Sequence, residues 1–96
     1  MDLAIQQTDD GNQGMFFIEV DGQRAGEMTY TRQDDHTIVI EHTAVGDALK
    51  GQGAGKRMVE RAVQWAREHE QKIIARCPFA RATFDKNPEL RDVLAT

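Results

Sequence analysis

The stretch Lys50-Gly51-Gln52-Gly53-Ala54-Gly55-Lys56 decides the fold of this chain. Its three glycines fall within five residues, so the main chain can approach a ligand with no Cβ in the way. A β-branched segment ends just before it at Val45, and an amphipathic segment starts near Gly55. Freed N–H groups then lie at a helix N-terminus, where the macrodipole favours an anion. Strand, glycine loop and helix in this order make a cradle for phosphate.

Two familiar phosphate loops do not fit. A Walker loop has the form G-x-x-x-x-G-K-S/T. Counting back from Gly55-Lys56, Lys50 occupies the place of the first glycine, and Arg57 that of the magnesium-binding hydroxyl. A dinucleotide fingerprint, G-x-G-x-x-G, fails at its sixth position, where Gly51-x-Gly53 leads to Lys56. The remaining pattern is close to Gln or Arg, two residues, Gly, one residue, then Gly or Ala, with Lys50, Gly53 and Gly55 in the defined places.

Downstream, Met58, Val59, Ala62, Val63 and Ala66 recur at spacings of three and four, which predicts a helix from Gly55 to about His69 with a core-facing stripe and Trp65 at its edge. Lys72 to Arg76 reads as a strand. Pro78 suits the first position of another helix, and Asn87-Pro88 closes that helix and opens a short terminal one.

Upstream, Leu3 to Thr8 reads as a strand ended by the turn Asp9-Asp10-Gly11-Asn12, and Met15 to Val20 as a second. Asp21-Gly22 is a hairpin signal leading into a third strand from Ala25 to Thr31. Asp34-Asp35 turns the chain into a β-branched run from His36 to Val45. Short connections make these four strands antiparallel neighbours. The strand-helix-strand unit that follows makes Ile38–Val45 and Lys72–Cys77 parallel, through a right-handed crossover. The expected class is α+β: a mixed, mostly antiparallel sheet of five strands with one parallel pair. Ligands of such sheets bind beyond the C-terminal strand ends, where the glycine loop, His42 and Cys77 converge.

The length of 96 residues suits one domain spanning residues 1–96, and 40% apolar with 29% charged residues is a globular composition. No long apolar run and no basic signal region at Met1-Asp2-Leu3-Ala4 lead to the expectation of a soluble cytoplasmic protein without a membrane partner. The one cysteine cannot form an internal disulfide, and no metal site is expected. A net charge of −4 argues against nucleic acid. Lys50, Lys56, Arg57 and Arg61 form a local basic exception around the loop.

Two side chains carry chemistry of their own. An imidazole such as that of His42 accepts a proton near neutrality, although a lone histidine within a strand is often structural. Cys77, followed by Pro78 at a helix start, faces free N–H groups, an arrangement that raises the thiolate fraction; its other reading is a small buried hydrophobe closing a strand.

The loop, together with Glu41-His42-Thr43-Ala44-Val45 before it and Cys77-Pro78-Phe79 and Asn87-Pro88-Glu89 after it, resembles the GNAT superfamily of acyl-coenzyme A dependent N-acetyltransferases. Within it the chain looks like a minimal single-domain subfamily with a paired histidine and cysteine. The resemblance covers most of Ile38 to Leu90. It implies a truncated GNAT-like fold whose parallel strands splay, often at a bulge, and admit pantetheine between them. It implies acetyl-coenzyme A as cosubstrate, bound by Thr43, Ala44 and Val45 and by Lys50, Gly51, Gln52, Gly53, Ala54, Gly55, Lys56 and Arg57. It also implies catalytic parts for His42 as base and for Cys77, either as an acyl relay or as proton donor to the departing thiolate.

A main-chain N–H near Thr43 or Val45 would polarise the thioester carbonyl. Leu90 stands where the subfamily commonly has an aromatic, and Tyr30, the one tyrosine, lies in the third strand. Larger GNAT domains have helices after the first strand and two further C-terminal strands, so an open acceptor groove is expected here. The acceptor is an unknown amine or protein. The alternative is a non-catalytic acyl-coenzyme A binding or sensing module, and a plain interaction domain is the third reading.

Overall fold

Three short polar turns set up the sheet. The computed structural model describes residues 4–95. Strand β1 (Ile5–Asp9) turns into β2 (Gln13–Val20) through carboxylate acceptors: Asp9 takes the Gly11 N–H at 2.7 Å, and Asp10 those of Asn12 and Gln13 at 2.9 Å. Asp21 and Gly22, with φ of 53° and 80°, form the tight turn into β3 (Gln23–Asp34). Asp34 then accepts the His36 N–H at 2.8 Å, and β4 (Thr37–Val45) follows.

A 3₁₀ turn (Asp47–Leu49) leads to the glycine loop and helix α1 (Ala54–Glu68). Then come β5 (Lys72–Ala75), helix α2 (Pro78–Lys86) and a terminal 3₁₀ segment (Pro88–Val93). The sheet order is β1-β2-β3-β4-β5, antiparallel throughout except for the parallel β4–β5 pair. That is the expected class and topology. The expected first strand began at Leu3, which lies outside the described residues. β3 runs two residues earlier and three later than its apolar run predicts, because neighbours on both sides supply hydrogen bonds to its polar ends.

Paired residues point their side chains to the same face. One face carries Ile5, Phe16, Ile18, Met28, Tyr30, Ile38, Ile40 and Ile73, and α1 covers it with Met58, Val59, Ala62, Val63 and Ala66, all buried. Trp65 sits at the stripe's edge, 7% exposed, its ring 6.3 Å from Phe16 and 6.0 Å from Tyr30. The C-terminal segment protects the outer edge of β5: Ala95 donates to Ile73 at 2.9 Å, and Arg67 holds Asp92 at 2.7 Å. No helix among the described residues is long and apolar enough to cross a membrane.

Two features of β4 position the site. Opposite Tyr30 stands Ile40, but opposite Thr29 stands His42, so Glu41 is an extra residue, a β-bulge. The parallel ladder to β5 ends at Ile40–Ala75. Both Arg76 and Cys77 then donate to the Ile40 carbonyl, at 3.0 and 3.1 Å, as the chain swings away into α2. From Glu41 to Val45, β4 continues with β3 alone.

Candidate functional site

The glycine loop is shaped by backbone conformation. Gly51 and Gly53 have φ of 82° and 67°, and a Cβ at either would meet nothing within 4 Å. Their role is the left-handed conformation, which other residues adopt at a cost of about 1–2 kcal/mol. Gly53 is the N-cap of α1, with no side chain capping the helix and no acidic residue in its first turn. Among the described residues, no acceptor takes the N–H of Gly51, Gly53, Ala54, Gly55 or Lys56; the first internal bond of the helix runs from Arg57 to Gly53 at 3.0 Å. These donors converge at the positive end of a helix of 15 residues.

A cavity of about 430 Å³ opens over them. It takes in Val45, Lys50, Gly51, Gly53, Ala54, Gly55 and Lys56 from the anticipated set, together with Asp47, Leu49 and Phe79, which the sequence reading had not assigned. The other anticipated residues stand differently. Gln52 folds back to donate to the Ala48 carbonyl at 3.3 Å, and Arg57 is exposed on the first turn of α1, outside the cavity. Lys50, Lys56 and Arg57 form no ion pair with any described residue, which leaves their charge available to an anion, with Asp47 opposing it locally.

Cys77 lies where β4 and β5 part. It is the N-cap of α2, buried, with its sulfur 3.4 Å from Thr43 Oγ1. Burial pushes its thiol pKa up, but the hydrogen bond shared with the Thr43 hydroxyl and those from the main-chain N–H groups of Ala80, Phe79 and Thr43 outweigh it and hold the net value below the ordinary one. This donor set makes the thiol more acidic than an ordinary cysteine.

His42 stands elsewhere. The bulge puts it beside Thr29 on the uncovered face, while Thr43 pairs with Met28 on the helix-covered face. Glu41 shares the uncovered face: its carboxylate is 3.4 Å from Thr31 Oγ1 and 3.4 Å from Arg76. Ala44 pairs with Glu27 and is exposed. The structure therefore brings Cys77 to Thr43 and leaves His42 with Glu41 across the strand. A second groove of about 430 Å³ runs along the uncovered face from the β1–β2 turn to Glu41. Among the described residues, no group of three or more His, Cys, Asp or Glu is arranged to hold a metal ion.

A glycine loop with free N–H groups at a helix start, beside a parallel strand pair that parts at its C-terminal end, is the arrangement this fold presents. Residues 15–93 match the model of a family described as GCN5-related N-acetyl-transferase, and the chain belongs to that family. Membership implies acetyl-coenzyme A dependent acetyl transfer, with acetyl-coenzyme A as cosubstrate.

The structure is similar to that of a GCN5-like protein from Staphylococcus aureus, with 38% identity and a TM-score of 0.73 over 96% of this chain and 87% of that one. A ribosomal-protein-alanine N-acetyltransferase from Brucella melitensis shares the fold at 18% identity and a TM-score of 0.63, over 91% of this chain and 64% of that one. A GNAT acetyltransferase from Elizabethkingia anophelis with acetyl-CoA bound shares it at 13% identity and a TM-score of 0.62, over 76% of this chain and 63% of that one. The chain thus spans less than two thirds of the length of those last two enzymes. No curated protein matches it.

Proposed function

We propose that this chain transfers an acetyl group from acetyl-coenzyme A directly to an amine, with the Gly51–Lys56 loop holding the diphosphate, Cys77 serving the leaving sulfur and His42 serving the acceptor. The observation that carries this reading is the set of unpartnered N–H groups at the start of α1, on residues that line a cavity also taking in Lys50 and Lys56. Main-chain donors at a helix start bind a diphosphate without side-chain specificity. Lys50 and Lys56 add charge, while Arg57 and Gln52 act from outside the cavity.

From the cradle, the carrier's arm enters the gap between β4 and α2, where Val45, Ala44 and Thr43 offer main-chain groups on a strand that has lost its β5 partner. The amine attacks the thioester carbonyl on the uncovered face, forming the C–N bond while the C–S bond breaks. His42 takes the amine proton there. The departing thiolate receives a proton from Cys77, whose thiol is more acidic than usual because of its donors. Placement of His42 and Cys77 on opposite faces of β4 favours this division over a relay in which His42 assists Cys77.

Intact-mass measurement after incubation with acetyl-coenzyme A, alongside a transfer screen against an amine and peptide panel, tests the proposal. Expected are product on an amine and no acetyl adduct on the protein. An adduct that vanishes in Cys77→Ala would overturn direct transfer. Binding without turnover against every acceptor would instead identify a carrier or sensing module.

A further inference from the structure

We infer that Phe79 recognises the arm of the carrier: its ring is the apolar surface against which the branched dimethyl segment next to the diphosphate of coenzyme A packs. The inference rests on the coenzyme A reading of the cradle. Among the described residues, the exposed large hydrophobics are Val45 at 41% and Phe79 at 44%, and both line the same cavity as the free N–H groups. Val45 ends β4, and Phe79 is the second residue of α2, two positions beyond Cys77. An apolar pair thus lines the cavity beside the cradle, on the two elements that hold Thr43 and Cys77.

Gly55 strengthens the argument. Its φ is not in the left-handed region, so conformation does not call for glycine there. Room does: a Cβ at Gly55 would fall within 2.7 Å of Phe79 Cε1 and closer still to Cζ. The first turn of α1 gives up a side chain to seat a ring that nonetheless stays in contact with solvent. Core packing does not explain this arrangement, since the ring is not buried. A ligand that is anionic at one end and branched aliphatic beside it does, because Lys50, Lys56 and the N–H donors meet the charge while Phe79 and Val45 meet the methyl groups.

Calorimetry on the full chain with two probes tests this. Acetyl-coenzyme A carries nucleotide, diphosphate and arm; 3′-phosphoadenosine 5′-diphosphate carries the nucleotide with its 3′-phosphate and the diphosphate but no arm. Phe79→Ala should weaken acetyl-coenzyme A about tenfold, the loss expected from exposing two methyl groups, and leave the armless probe unchanged. Phe79→Leu should restore most of the affinity, and Gly55→Ala, which displaces the ring, should reproduce the loss. Thermal unfolding without ligand checks that each variant is folded. If Phe79→Ala weakens both probes alike or neither, the inference is overturned while the cradle stands; if the unsubstituted protein binds neither probe, both fall together.

Discussion

The sulfur of Cys77 lies 3.4 Å from the hydroxyl oxygen of Thr43, tying the start of α2 to β4 just past its bulge. That contact and three main-chain N–H groups lower a thiol pKa that burial alone would raise. Removing the hydroxyl in Thr43→Val subtracts the largest of the lowering contributions. The pH profile of Cys77 alkylation, clean because the chain has one cysteine, should move upward in Thr43→Val and stay in place in Thr43→Ser. An unmoved profile in Thr43→Val would assign the lowered value to the main-chain donors alone.

Gly53 is held at φ 67° as the N-cap of α1. A β-branched residue there is strained by about 1–2 kcal/mol and distorts the free N–H groups of the helix start. Acetyl-coenzyme A at a hundredfold excess over its Kd should stabilise the unsubstituted protein by about 2.7 kcal/mol. Gly53→Val should lose that ligand-induced shift, measured by thermal unfolding with and without acetyl-coenzyme A. Retention of the full shift would move the diphosphate away from this loop.

Much of this arrangement is legible in the residues themselves. The stripe from Met58 to Ala66 fixes α1, Asp21-Gly22 fixes a hairpin, and the glycine loop between strand and helix fixes the parallel pair. The bulge at Glu41 is not legible, because nothing in a β-branched run marks where an extra residue enters; register against β3 decides it. The separation of His42 from Cys77 is therefore a tertiary fact. Phe79 reads in the sequence only as part of the helix start after Pro78, whereas its ring lines the cavity, and Gly55, a residue of the loop, also makes room for that ring. An apolar residue directly after a helix-starting proline, aligned with a glycine in a facing helix, is the signal that would have found it.

Tyr30 reports on the other end of the sheet. Its hydroxyl donates to Asp9 Oδ2 at 2.6 Å, and Arg32 holds the same oxygen at 2.7 Å. Burial is the largest cause raising the Tyr30 pKa, to about 12, with the Asp9 hydrogen bond next. A raised folded value stabilises the native state fully below the unfolded value near 10, and that contribution is lost as pH rises through about 12. For Asp9, burial acts upward, but Tyr30, the Gly11 N–H and Arg32 together lower the value, so its contribution is present above the ordinary carboxylate range and lost as pH falls through the depressed value. Ultraviolet titration of this sole tyrosine should show late ionisation coupled to loss of stability, and Tyr30→Phe should remove the alkaline dependence at a cost of about 1 kcal/mol. Ionisation at the ordinary value in the folded protein would contradict the hydrogen-bonded geometry.

His42 and Glu41 stand side by side on the uncovered face because the bulge sends consecutive residues the same way. Glu41 is engaged by Arg76 and Thr31, whereas no described residue hydrogen-bonds the His42 ring, which is why the base role is proposed for His42 and not for Glu41. A positioned base contributes about a hundredfold or more to such a transfer. Once an acceptor is found, His42→Ala should lower kcat by about that factor, with the Kd for acetyl-coenzyme A unchanged. Glu41→Gln should have the smaller effect on kcat, since its carboxylate is already committed to Arg76. The reverse ranking, with Glu41→Gln the more damaging and kcat nearly intact in His42→Ala, would transfer the base to the bulged carboxylate and leave the rest of the site as described.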